Sequence, residues 1–239
     1  MGARSTRFAA LHSKPGLWYE TDALFAWLPQ ASDTGATITP TRGGALTQSS
    51  AAPATGYVAA SEYDMTNGVY TGSAGMTAIV DSTMPYLVAV AIDKNTQSTT
   101  YQVAMELHAS YNIQFDSGNG APRFHHQMNG LTPAAQACIA TWPSAGTVAI
   151  YWTYCNPAAG TIDYGNNQNT FTTQSGLTVP ANGFSGRNFT LGAGFSSTTN
   201  VSHLKHGATQ CVGNRSGASA LTKAQALAIV QKMQNLYGV

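Results

Sequence analysis

Charge is what this sequence most lacks. Only 9% of its 239 residues are Asp, Glu, Lys or Arg, against about a quarter in an ordinary soluble globular protein. Eleven basic residues nearly balance ten acidic ones, for a net charge of +1. Nucleic-acid binding relies on clustered Lys and Arg that displace phosphate counterions, so no nucleic-acid partner is expected. Gly, Ser, Thr, Asn, Gln and Ala stand where Lys and Glu would otherwise be. Such neutral surfaces are common in extracellular β proteins, in virion shells and in assemblies whose subunit faces cover one another.

Long apolar runs are also missing. The longest, Tyr86 to Ile92 (YLVAVAI), has the length of a strand, whereas a membrane helix needs about 20 residues. No membrane association is expected. The N-terminal stretch MGARSTRFAALHSKPGLWYE is basic but has no apolar segment of the kind that drives secretion. An extracellular-looking surface without an export signal suggests a particle protein, assembled in a host cytoplasm and localised to the virion. Cysteines number three, Cys138, Cys155 and Cys211, with no CxxC and no Cys/His cadence. They read as small buried hydrophobes, and neither a metal nor a cofactor is expected.

What is present is a succession of strands. Tyr86–Ile92 is apolar at every position, as in a central strand covered on both faces. Tyr101, Val103, Met105 and Leu107 alternate with polar or small residues, and Tyr111, Ile113 and Phe115 do the same. That period of two marks strands with one face in a core. Val148, Ile150, Trp152 and Tyr154 repeat it, and Asn188 to Leu191 forms a further strand before the glycines of LGAG. Residues 1–35 differ from the rest in holding Arg4, Arg7 and Lys14 beside Trp18, Tyr19, Phe25 and Trp27. They are read as an N-terminal arm packed on the sandwich or on a neighbouring subunit, with the four aromatics as an assembly interface. Residues 36–239 form the sandwich domain.

One helix is expected, over residues 222–237. Thr222 and Gln225 have capping-box spacing, Leu221 precedes them as an apolar staple, and Leu227, Val230, Met233 and Tyr237 make a helical stripe ended by Gly238. Many strands with one terminal helix argue for an all-β, antiparallel β-sandwich.

The last fifty residues carry a family likeness. A strand ending in a Leu-Gly pair, NFTLGAGFSS, is followed by HLKHGATQCVGNRSGASALTKAQALAIVQKMQNLYG, in which Asn-Arg and Leu-Thr lead into an amphipathic helix. This resembles the C-terminal end of concanavalin A-like, laminin-G-like jelly rolls, and Thr147 to Cys155 falls where that superfamily places an upstream strand. The likeness implies a jelly-roll sandwich over about residues 57 to 238. The superfamily includes lectins, adhesive modules, glucanases and phage virion proteins, so the fold does not choose among them.

Catalytic patterns are incomplete. Jelly-roll glucanases of this type resemble one another in an E-x-D-x-E strand that puts carboxylates on one face. The nearest match, Glu62-Tyr63-Asp64-Met65-Thr66, has Thr66 in the third place, and a hydroxyl is no acid near neutral pH. Glu106 and Asp116 are too far apart in sequence to pair by spacing. His125 and His126 are adjacent and fall on opposite faces of a strand, while His203 and His206 sit in a segment that reads as strand or turn. There is no G-x-S-x-G elbow, Ser73 being only a superficial match, and no dense Asp/Asn run for calcium around Asp81 or Asp93.

A contact loop is expected instead at Asn156 to Thr170, NPAAGTIDYGNNQNT. Asp163, Asn166, Asn167 and Asn169 offer directional hydrogen-bonding groups and Tyr164 a ring face, the pairing that binds sugars. A plain hairpin would use the same residues. The expectation is therefore a non-enzymatic virion surface protein of a tailed bacteriophage, a capsid decoration or fibre-like component. Its partners would be other virion subunits in a homo-oligomer and a host-surface glycan. A lectin-like carbohydrate-binding module and a polysaccharide hydrolase are the alternatives.

Overall fold

The computed structural model describes residues 18–30, 32–33, 37–48, 56–59, 62–64, 70–72, 83–94, 101–108, 111–116, 123–126, 132–133, 147–180, 190–191, 204–213 and 219–239. Within them lie fifteen strands, numbered in chain order, and one helix. One sheet runs β13 (Phe171–Gln174), β12 (Thr161–Gly165), β11 (Val148–Asn156), β7 (Tyr86–Lys94), β15 (Leu204–Val212), β5 (Glu62–Asp64) and β4 (Gly56–Ala59). An eighth strand, β1 (Phe25–Trp27), joins it by pairing with β15. The other sheet runs β10 (Arg123–His126), β9 (Tyr111–Asp116), β8 (Tyr101–His108), β14 (Thr190–Leu191), β6 (Tyr70–Gly72), β3 (Leu46–Gln48) and β2 (Thr37–Ile38). Every pairing is antiparallel. The chain is an all-β sandwich of jelly-roll type with a C-terminal helix, as the strand pattern led one to expect.

β7 is the centre of the larger sheet, between β11 and β15. Leu87, Ala89 and Ala91 lie in a cluster with Ile150, Trp152 and Tyr154 of β11 and with the helix α1 (Lys223–Tyr237). Tyr86, Val88, Val90 and Ile92 alternate with them, so they point the other way, and they too are wholly buried. Both faces of this sheet are therefore covered, one by the helix and the other by the second sheet. Full burial of each large side chain here contributes about 1.5–3 kcal/mol.

The N-terminal aromatics belong to this arrangement. β1 pairs with β15 in the register Phe25↔Cys211, Ala26↔Gln210, Trp27↔Thr209. Phe25 and Trp27 are completely buried, and Trp18 and Tyr19, edge-to-face at 5.0 Å, lie in the helix-side layer. Asp33 fixes the exit of the strand, its carboxylate accepting from Trp27 Nε1 (2.9 Å), Gln30 N (3.0 Å) and Thr39 N (3.2 Å). The boundary expected after residue 35 thus does not separate this stretch from the sandwich. Trp18, Tyr19, Phe25 and Trp27 have their apolar surface inside the chain, which removes them as anchors of an assembly interface. The first seventeen residues of the expected arm, with Arg4, Arg7 and Lys14, lie outside the described residues.

The helix starts where its sequence signal lies. The Thr222 hydroxyl accepts from Gln225 N and the Gln225 side chain accepts from Thr222 N, and Gly238, in the left-handed region at φ 71°, donates to Gln234 O. Its buried positions are Ala226, Ile229, Val230, Met233, Gln234, Leu236 and Tyr237. Leu227, expected in the stripe, is only half-buried at its margin.

β15 carries one irregularity that docks the helix. Its register with β7 shifts between His206 and Thr209, so that Gly207 and Ala208 together oppose Ala91. This two-against-one bulge turns the Ala208 N–H toward α1, where it donates to the Tyr237 hydroxyl at 2.5 Å.

Candidate functional site

The expected contact segment is a pair of hairpins, β11–β12–β13, at one edge of the larger sheet. β12 pairs with β11 through Tyr154↔Asp163 and Thr153↔Tyr164, and with β13 through Asp163↔Thr173 and Tyr164↔Thr172. Asp163 and Tyr164 are consequently strand residues with buried side chains, 2% and 7% exposed. Neither is placed to meet a sugar from solvent. Composition suggested a loop here, whereas β-branched and aromatic residues in TIDYG pair into the sheet.

Asp163 has internal partners. It lies on the helix side of β12, where the Thr173 hydroxyl donates to Oδ1 and Lys223 Nζ reaches the same oxygen at 2.8 Å. The Lys223 ammonium also stands 4.3 Å from the centroid of the Phe171 ring, which packs edge-to-face on Trp152 at 5.6 Å. One cation thus bridges a buried carboxylate and an aromatic face. Next to it, Tyr154 donates its hydroxyl to Leu221 O at 2.8 Å. Burial raises the Tyr154 pKa, and the negative charges of Asp163 and of a Cys155 thiolate act in the same direction.

The turn between β12 and β13, residues 166–170, meets solvent, as does the shorter turn at 157–160. Asn166, Asn167 and Gln168 are half-buried and Asn169 and Thr170 exposed. Asn167 organises it: Oδ1 accepts from Asn169 N (2.8 Å) and Thr170 N (2.7 Å), and Nδ2 donates to Asn166 Oδ1 (3.2 Å). The Asn167 carbonyl accepts from Trp152 Nε1 at 2.9 Å, and Gln168 N donates to Gln234 Oε1 of the helix at 3.0 Å. The structure therefore brings Asn166, Asn167 and Asn169 together at a tip and separates them from Asp163 and Tyr164.

Phe171, Thr173, Lys223 and Gln234 carry no site pattern in the sequence, because the region is assembled across long sequence intervals. Lys223 did carry a local signal. It is the first helical residue, at the positive end of the helix dipole, with no acidic residue in that turn, a position that disfavours a cation unless a carboxylate faces it.

The described carboxylates and histidines considered for catalysis lie on several strands of both sheets. Glu62 and Asp64 form the ends of β5, opposite Ala59 and Lys205 respectively; Thr66 lies outside the described residues. Glu106 is opposite Asn112, and Asp116 opposite Tyr101, at different levels of one hairpin. His125 and His126 lie in β10, His206 is buried in β15 and Asp93 is buried in β7, while Ser73, Asp81 and His203 lie outside the described residues. Among the described residues, no three His, Cys, Asp or Glu come together as metal ligands, and no helix is long and apolar enough to cross a membrane. Cys155 and Cys211 are free, buried thiols; Cys138 lies outside the described residues.

No family model matches the sequence, and no curated protein matches it. Solved structures share the fold. Trypanosoma rangeli sialidase in complex with 2-keto-3-deoxy-D-glycero-D-galacto-2,3-difluoro-nononic acid is 11% identical, with a TM-score of 0.61 over 91% of this chain and 33% of that chain. A mutant of the same sialidase displaying trans-sialidase activity gives 10% identity and a TM-score of 0.60 over 91% of this chain and 34% of that one. The binding domain of botulinum neurotoxin serotype D/C is 8% identical, with a TM-score of 0.54 over 89% of this chain and 52% of that chain. This chain thus spans about a third of the length of the sialidase chains. At these identities the likeness concerns the sandwich alone.

Proposed function

We propose that this chain is a non-catalytic β-sandwich module that contacts a glycan through the 166–170 tip. The observation that carries the reading is the tip itself: Asn169 and Thr170 are exposed on a turn whose backbone is tied to Trp152 and Gln234. A side-chain amide and a hydroxyl carried on a turn with a fixed backbone suit the directional hydrogen bonds of sugar hydroxyls. The company the fold keeps adds support, since it is found in sialidase chains and in a neurotoxin binding domain. Three of the ten acidic residues have structural partners, which supports a non-catalytic use of those three. Asp33 caps a turn, Asp163 faces Lys223, and Glu20 pairs with Lys232 at 2.6 Å.

The setting we propose is the surface of a tailed-bacteriophage virion, with the chain as a capsid decoration or fibre-like subunit in a homo-oligomer assembled in the host cytoplasm. The charge-poor composition supports it.

A glycan array with Asn169→Ala tests the contact. The wild type gives signal on a defined set of saccharides and the variant loses most of it at unchanged melting temperature; a variant that binds like wild type removes the tip from the reading. Tyr164→Ala does not serve, because it opens a cavity in the sheet. Reducing-end release from polysaccharides, lost in Glu62→Gln, would replace this reading with a hydrolase. Labelling of purified virions with an antibody to the chain tests the setting, and virions that carry none of it rule that setting out.

A further inference from the structure

We infer that Gln234, on the buried side of α1, is the positioning residue of the proposed glycan contact, holding the 166–170 tip in one arrangement before a ligand arrives. This rests on the reading of that tip as the contact. Gln234 is 8% exposed and sits on the helix face that also buries Val230, Met233 and Tyr237. Amides are usually left at the surface, and a Leu or Met would fill such a position in the apolar layer between helix and sheet. The backbone of Gln234 already serves the helix end, its carbonyl accepting from Gly238 and Val239. Its side chain reaches out of the helix instead, and Oε1 accepts from Gln168 N at 3.0 Å.

That bond is placed to govern the tip. Asn167 is anchored on one side by the wholly buried Trp152, through Nε1 to its carbonyl. It orders the other side through the amides of Asn169 and Thr170. Gln168 lies between these two sets of bonds, and its N–H is the one that Gln234 receives. Without an acceptor there, the peptide joining Asn167 and Gln168 is held at its carbonyl alone, by Trp152, and the exposed groups at 169 and 170 keep their relation less tightly. A contact surface ordered in advance avoids the entropy cost of ordering on binding.

The test uses two variants of the full chain: Gln234→Met, similar in length but without an acceptor, and Gln234→Glu, which keeps an acceptor oxygen. Gln234→Met is expected to speed hydrogen exchange at the Gln168 amide by about tenfold, the scale of one lost hydrogen bond. It is also expected to weaken binding of whichever array saccharide the wild type takes by a similar factor, at a melting temperature within a few degrees of wild type. Gln234→Glu restores both. Unchanged exchange at Gln168 in Gln234→Met overturns the inference, as does faster exchange with unaltered affinity. If the wild type binds no saccharide, the glycan reading fails, and exchange at Gln168 alone decides whether Gln234 holds the tip.

Discussion

The hydroxyl of Tyr237 occupies the space that a Cβ on Gly207 would need. The two residues are far apart in sequence, yet the β15 bulge puts the glycine directly beneath the last turn of the helix, with Ala91 as its other neighbour at 2.9 Å from such a Cβ. Gly207→Ala should therefore push the helix end away from the sheet and lower stability by about 1–3 kcal/mol, the range for an overpacked core. Tyr237→Phe should cost about 1–3 kcal/mol by leaving the Ala208 N–H without its acceptor. Chemical denaturation of both single variants and the double variant checks this. The two losses should sum to more than the double variant shows, because removing the Tyr237 hydroxyl frees the space that a methyl group at position 207 needs.

Lys223 and Asp163 behave as a pair in which one member is buried and the other is not, with side-chain exposures of 40% and 3%. Lys223→Met leaves the carboxylate in the sheet without its cation and should destabilise by about 1–3 kcal/mol, less than for a wholly buried pair. Asp163→Asn combined with Lys223→Met should recover part of that loss. A double-mutant cycle by urea unfolding measures the coupling; additive effects would show that the bridge is not a stabilising contact.

Alkaline pH should unfold the chain through its tyrosines. Burial raises the pKa of Tyr151 above its ordinary 10.0 and raises that of Tyr154, to which Asp163 adds its charge. Above about pH 10 the unfolded chain releases these phenolic protons while the native chain keeps them, so native stability falls as pH rises. Below pH 10 their contribution is fully present. Denaturant midpoints between about pH 9 and 11 should drop, and ultraviolet absorbance should show phenolate appearing together with unfolding. Midpoints that stay level across this range would contradict the assignment.

Burial also pushes the Cys155 thiol up to about 12, with a hydrogen bond to Tyr86 opposing the shift, and raises Cys211. Thiolate is the reactive form. Peptide mapping after treatment with an alkylating agent at mildly alkaline pH should find both residues unmodified in the native protein and both modified in guanidinium chloride. Labelling of either in the native state would mean that the sheet opens locally at β11 or β15.

The elements that could be read from sequence are those specified by neighbouring residues. YLVAVAI is apolar on both faces because β7 is covered on both, and the Thr222/Gln225 capping box lies within a single turn of chain. β11 was legible as a strand from Val148, Ile150, Trp152 and Tyr154, but Tyr151, Thr153 and Cys155 are buried as well. Nothing in that strand's own residues indicates that a helix from the far end of the chain covers one side. The site was partly legible for the same reason. Asn166, Asn167 and Asn169 form a turn through local bonds, as amide-rich segments do. The burial of Asp163 depends on Lys223, 60 residues away, and the order of the tip on Gln234, 66 residues from Gln168. The aromatic stretch Trp18–Trp27 looked like a separate arm because its partner strand, β15, lies almost at the other end of the sequence.

That pairing of β1 with β15 has a consequence for how the protein is made. During synthesis Phe25 and Trp27 leave the ribosome long before the strand they pair with, which is not complete until Val212 is translated. The helix that covers Trp18 and Tyr19 follows later still. Until then four large aromatic side chains wait without their cover, in a stretch whose few charges offer little repulsion against self-association. This layer closes only once β15 and the helix have both been made, so a chain cut short before β15 would leave Phe25 and Trp27 without their partner strand.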